Sequence, residues 1–148
     1  MAFRDPVTQL PSKALFMDRL SQALALARRQ RTKTAVIHLD LLAPDALRDD
    51  PDLLRALAQR LQPILRASDT VARLDGHDFS VLLIDVDSRK AAQAVQEELV
   101  LAASKPLTVN GRELRFDTRA GLALFPDDAA DEAALLRVAT PERQQPAA

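Results

Sequence analysis

Cysteine is absent from this chain. Its absence excludes disulfides, thiolate metal sites and cysteine nucleophiles. It also agrees with a reducing compartment, so a cytoplasmic location is the expectation. Tryptophan and tyrosine are missing too, and there are only 5 phenylalanines. A chain so poor in aromatics is not built to stack on bases. The formal net charge of −1 gives no bulk pull toward nucleic acid or a membrane surface. No stretch approaches a membrane span, and the opening MAFRDPVTQL lacks the apolar run of a signal peptide. With only 3 glycines, a phosphate-cradling loop is hard to build. There is no P-loop, no dinucleotide-binding glycine motif and no Ser-His-Asp spacing. No cofactor and no nucleic-acid partner are expected.

What is present fits one domain with a substantial core: 148 residues, 47% hydrophobic and 28% charged. After the polar lead-in DPVTQLPS, Ser12 caps a helical pattern with Leu15, Phe16, Leu20, Ala23, Leu24 and Ala27 on one face. The basic cluster Arg28, Arg29, Arg31 and Lys33 complements the dipole at that helix's C-terminus. Residues 34–42, TAVIHLDLL, read as a buried strand, in which His38 is a satisfied or edge histidine rather than a ligand. Residues 52–66 are helical, with Pro63 kinking or ending the last turn. TVARL and FSVLLIDV make a hairpin, residues 88–103 a helix capped by Ser88, and PLTVNGRELRFDTRAGLALF a second hairpin turning at Asn110-Gly111. A short helix over 131–139 precedes a tail, PERQQPAA, that reads as disordered or as the start of a linker. Helix, strand, helix, strand pair, helix, strand pair, helix predicts an α+β fold with helices on a mainly antiparallel, five-stranded sheet. The domain is expected over 1–140, with 141–148 as tail.

The first hairpin turns through an unusually charged stretch, Asp75-Gly76-His77-Asp78. Around it, SDTVARLDGHDFSVLL resembles the region of the name-giving loop of the GGDEF family, the diguanylate cyclase domain. DPVTQLPSKALF is similar to that family's D-x-L-T-G-L-P-N-R-x-x-F, HLDLL to its first catalytic strand, and LTVNGRELRFDTRAGLALFP to its last hairpin. The resemblance covers roughly residues 3–140. It implies a nucleotidyl-cyclase palm with a ferredoxin-like core. The activity implied is condensation of two GTP molecules to cyclic di-GMP across a homodimer, with a divalent metal.

The same resemblance exposes departures. Asp75, Gly76, His77, Asp78 and Phe79 stand where the family has Gly, Gly, Asp or Glu, Glu and Phe. Asp75 puts a carboxylate where a bare glycine lets the nucleotide approach. His77 replaces a metal-binding carboxylate, and an imidazole is a poor ligand for Mg²⁺, which prefers oxygen. Asp40 matches the family's other metal-binding carboxylate. The segment LLAPDALRDDPDLL lacks the family's lysine, its guanine-reading asparagine and its Gly-His pair, with Asp52 near the second guanine-binding aspartate. VATPERQQPAA lacks the basic residue of A-L-Y-x-A-K, and Arg137 lies too early to replace it. One lost electrostatic group costs about 10²–10³ in rate. Several losses leave no useful cyclase, so Asp40, Asp75, Gly76, His77 and Asp78 read as a vestigial active site that holds no metal. A softer-metal site from Asp40, Asp75, His77 and Asp78 is the minor alternative.

Arg66-Ala-Ser-Asp69 is an R-x-x-D string nine residues before Asp75. That is the spacing of the family's inhibitory cyclic di-GMP site. A guanidinium offers forked donors to phosphate or guanine, and an aspartate accepts from guanine N–H groups. Against this stands a local role: a cation ending a helix and an aspartate capping the turn. The family's second arginine falls near Glu98, so the supporting cation is missing. Two further alternatives stay open, a nucleotide sensor at Arg66 and Asp69 or in the damaged GTP site, and a weakly active cyclase. The leading expectation is a catalytically inactive GGDEF domain serving as a regulatory or interaction module, beside an EAL domain. Leu-, Ala- and Val-rich helix faces leave room for a homodimer surface.

Overall fold

The computed structural model describes residues 3–141. Helix α1 (Lys13–Gln30) begins where the Ser12 hydroxyl accepts from the Leu15 N–H, and it ends at Arg31 in the left-handed conformation. Strand β1 (Lys33–Leu41) follows, then a single 3₁₀ turn (Asp45–Leu47) and α2 (Pro51–Leu61). Asp50 caps α2 by accepting from the backbone of Asp52 and Leu53. Pro63 ends the regular helix as expected, since it has no N–H to donate: residues Gln62–Ile64 tighten to a 3₁₀ turn. The hairpin β2 (Thr70–Asp75) and β3 (Asp78–Val86) leads into α3 (Arg89–Ser104), capped by Ser88. The chain closes with β4 (Leu107–Val109), β5 (Arg112–Leu114), β6 (Thr118–Phe125) and α4 (Glu132–Ala139).

The α+β expectation holds, with one difference in strand count. The main sheet has four strands in the order β2-β3-β1-β6, all pairs antiparallel, and β4-β5 form a separate two-stranded ribbon. The expected second hairpin is therefore two structures. Asn110 and Gly111, both at positive φ, turn the short β4-β5 ribbon. The chain then breaks pairing over residues 115–117 so that β6 can run along β1 from Thr34↔Phe125 to Leu41↔Thr118. The ribbon goes elsewhere because Leu107 and Val109 bury into the core shared with α2 and α3.

Alternation along β1 divides the core. Ala35, Ile37, Leu39 and Leu41 face α2 and α3 on one side of the sheet. Val36 faces the other side, with Ala72, Leu82, Ala123 and Phe125 beneath α1 and α4. On that second face β1 continues from Val36 to His38 to Asp40, so the same row of positions passes from apolar to ionisable. His38 is buried and shares a 3.3 Å hydrogen bond with Ser80, its cross-strand partner. Burial pushes its pKa down, against the pull of the Asp40 charge. The basic end of α1 is also absorbed structurally: Arg28 donates to the Ala130 carbonyl and lies 5.3 Å from the Phe125 ring centre. No helix among the described residues is long and apolar enough to cross a membrane.

Candidate functional site at the β2-β3 turn

Two residues, Gly76 and His77, turn β2 into β3. Gly76 has φ +52°, a conformation that glycine adopts without strain. Phe79, fully buried, anchors the strand that follows. The turn is held from outside by Arg73, which is only 11% exposed at its side chain. Its Nε donates to the Gly76 carbonyl at 2.7 Å, Nη1 to Asp5 at 2.9 Å and Nη2 to Asp49 at 2.9 Å. One guanidinium thus ties the lead-in, the segment before α2 and the hairpin tip. The sequence reading missed it. The signal available was an arginine three residues before Gly76, following the apolar pair Val71-Ala72.

Burial opposes ionisation of Asp5. Hydrogen bonds from the Thr8 hydroxyl and backbone, with the Arg73 charge, outweigh it and hold the carboxyl below the usual carboxylate range. The sign follows from linkage: a depressed folded pKa adds stability above the unfolded value and loses it as pH falls through the folded one. Replacing Asp5 by Asn should therefore destabilise the chain near neutral pH. The gap to wild type should close as pH falls through about 4 and below. Urea unfolding midpoints across that range check this, and a gap that widens toward acid would contradict it.

Arg48 covers the other side of the turn. Its Nη2 donates to Asp75 at 2.8 Å, and this bond, more than Coulombic attraction alone, raises its pKa. A Cβ placed on Gly76 would lie 2.7 Å from Arg48 Cγ and Nε. The side chain therefore fills the space a bare glycine would leave open. Asp75 is turned outward, 76% exposed, toward Arg48.

Inside the turn the arrangement is different. Asp40 and Asp78 are cross-strand partners. His77 projects beside them, its Nδ1 3.6 Å from Asp40 Oδ1. Asp40 Oδ2 faces the Arg119 guanidinium at 4.0 Å. His77 is 7% exposed and neither ring nitrogen has a hydrogen-bond partner. An unsatisfied buried polar group costs about 1–3 kcal/mol. One donor atom each from Asp40, His77 and Asp78 lies within 4.8 Å of the others. Asp75, paired with Arg48, is not part of this group. Mg²⁺ requires near-octahedral oxygen ligation. A buried imidazole in the middle of the donor set does not fit it.

Arg66 and Asp69 are brought together, but toward each other. Asp69 accepts from the Arg66 backbone N–H at 3.0 Å, from Nε at 3.2 Å and from Nη2 at 3.1 Å. Arg66 Nη2 also donates to the Ile84 carbonyl at 2.6 Å. Asp69 is 4% exposed and Arg66 57%. The hydrogen bond to Asp69 raises the Arg66 pKa, and Asp85 and Asp87 add to it. A cleft of about 250 Å³ adjoins the pair, to which α3 contributes Ala91, Ala92 and Val95 and no cation. Asp52 lies in the exposed first turn of α2, 4.0 Å from Arg55, and Arg137 is exposed on α4. Asp52 is not a member of the turn's buried group.

The profile of the GGDEF family, described as diguanylate cyclase, GGDEF domain, matches residues 2–143. The chain is 37% identical over 134 residues to the bifunctional diguanylate cyclase/cyclic di-GMP phosphodiesterase MucR of Pseudomonas aeruginosa, covering 86% of this chain and 19% of MucR. It is 33% identical over 145 residues to the diguanylate cyclase TpbB of the same organism, covering 91% of this chain and 33% of TpbB. It thus spans a third or less of those relatives' lengths. A solved structure of an N-terminally truncated TpbB comprising only the GGDEF domain superposes with a TM-score of 0.85 at 34% identity, covering 92% of this chain and 83% of that one. The GGDEF domain of DgcB from Caulobacter crescentus, solved in complex with c-di-GMP, superposes with a TM-score of 0.79 at 19% identity, a likeness of fold alone. That match covers 93% of this chain and 86% of that one. A profile match over nearly every residue, and close superposition on a solved member, establish that this chain belongs to the GGDEF family.

Proposed function

We propose that this chain is a GGDEF domain without cyclase chemistry, working as a regulatory or protein-interaction module in bacterial cyclic di-GMP signalling. The observation that carries the reading is the occupation of the turn. Arg48 lies over Gly76 and is pinned by Asp75, while His77 stands in the position of a metal-binding carboxylate. A nucleotide approaching the turn meets the Arg48 side chain, held in place by Asp75, instead of bare backbone. Asp40, Asp75, Gly76, His77 and Asp78 are, in this reading, the remains of a cyclase site. MucR carries both cyclase and phosphodiesterase activities in its name and is much longer than this chain. We place the module likewise beside an EAL domain in a cytoplasmic protein, with residues 141–148 as the start of the linker. The tail beyond Pro141 lies outside the described residues.

Incubation with GTP and either Mg²⁺ or Mn²⁺ should yield no cyclic di-GMP above a protein-free control by mass spectrometry. Product that scales with protein concentration would overturn the reading.

A second reading, a cyclic di-GMP sensor, draws support from the formed Arg66–Asp69 pair beside its cleft. Its weakness is that Asp69 already accepts three hydrogen bonds of roughly four a carboxylate can take. Calorimetry with cyclic di-GMP on wild type and Arg66→Ala separates the two. Saturable binding lost in the variant favours the sensor, and no binding favours the module.

A further inference from the structure

We propose that Asp40, His77 and Asp78 form a binding site for a divalent transition ion of the zinc class, in preference to magnesium. The proposal holds whether or not the domain turns over GTP. It rests on three observations. Asp40 and Asp78 are cross-strand partners on β1 and β3, so two carboxylates present oxygens to one place, with the Arg119 guanidinium 4.0 Å from one of them. An imidazole more than nine-tenths buried is aimed into the same place, with both ring nitrogens unpartnered. The three donor atoms fall within 4.8 Å of one another on the rigid ends of two paired strands and the turn that joins them.

The donor chemistry selects the ion. Imidazole nitrogen suits zinc and other late transition metals, whereas magnesium is served by carboxylate, carbonyl and water oxygens. Ligands around a tetrahedral zinc lie about 2.0–2.2 Å from the ion, hence about 3.3 Å apart. Asp40 Oδ1 and His77 Nδ1, at 3.6 Å, are already close to that spacing. Arg119 faces the other Asp40 oxygen, which leaves Oδ1 directed at the imidazole. Asp75 is held away by Arg48, so the set is one nitrogen and two carboxylates. Three protein ligands leave a fourth position for water or an anion.

The chain contains only 2 histidines, so the readout can be specific to one ring. Metal-stripped protein, without nucleotide, is titrated with ZnCl₂ and, separately, MgCl₂ by calorimetry, and the imidazole nitrogens are followed by long-range ¹H–¹⁵N NMR. We expect one zinc per chain, with magnesium about 100-fold weaker. The His77 ring nitrogens should shift on binding while those of His38, bonded to Ser80, stay in place. Asp40→Asn and His77→Gln should each weaken zinc by about tenfold or more. The NMR arm uses the wild-type chain alone, so the test survives even if a variant fails to fold. The proposal is overturned if zinc does not saturate, if magnesium binds as tightly, or if zinc binds while the His77 resonances are unmoved. Cyclase activity is not a readout, so failure here leaves the reading of the domain as non-catalytic intact, and the reverse.

Discussion

Replacing Arg73 by alanine should lower the free energy of unfolding by about 3–5 kcal/mol, the cost of breaking a buried ion pair from one side. Arg73 and Asp5 are 11% and 12% exposed, so the variant leaves a carboxylate charge with little water to replace its partner. The Gly76 carbonyl loses its 2.7 Å donor as well. The bond to Asp49, whose side chain is 76% exposed, adds little, because solvent screens it. Lysine should not rescue the variant, since an ammonium cannot reach three separated acceptors with a planar fork. Urea unfolding of Arg73→Ala, Asp5→Ala and the double variant measures the coupling directly. A loss under about 1 kcal/mol for Arg73→Ala would show that the hub is decorative.

Gly121→Ala is expected to be comparably severe. Gly121 lies opposite His38 in the middle of β6, and a Cβ there would stand 1.9 Å from the Ala139 carbonyl oxygen and 2.9 Å from its carbon. Both atoms are backbone at the end of α4, so no side chain can swing aside. Either the sheet distorts or α4 lifts away, exposing Leu135 and Ala139, both fully buried. Overpacking costs about 1–3 kcal/mol, and undocking a buried leucine about 1.5–3 kcal/mol more. Hydrogen exchange should report the site of damage, with α4 amides losing protection before those of β1. Unchanged protection in α4, with an unchanged unfolding midpoint, would show that the close approach is not needed for packing.

Local signals in the sequence were reliable wherever one or two residues decide the outcome. Ser12 and Ser88 cap their helices, Pro63 ends α2, and Asn110-Gly111 turns a hairpin, because each acts on backbone within a few positions of itself. The strand count went astray where the decision was long-range. Nothing local in RELRFDTRAGLALF says that its first residues pair with β4 and its last with β1.

The same divide runs through the candidate site. Family membership, the α+β class, and the departures at Asp75 and His77 were legible from residue identity and order. Burial and pairing were not. Only the folded chain turns Asp75 outward to Arg48, buries the His77 ring beside Asp40 and Asp78 without a hydrogen bond, and closes Arg66 onto Asp69. Residue type sets what a side chain is able to bind. Which groups it meets, and how much water remains, depends on segments far apart in the chain: Arg48 lies 27 residues from Asp75, and Arg73 lies 68 from Asp5. Electrostatic energies vary steeply with distance and burial, so charge patterns identify candidates and the tertiary structure alone decides what each of them does.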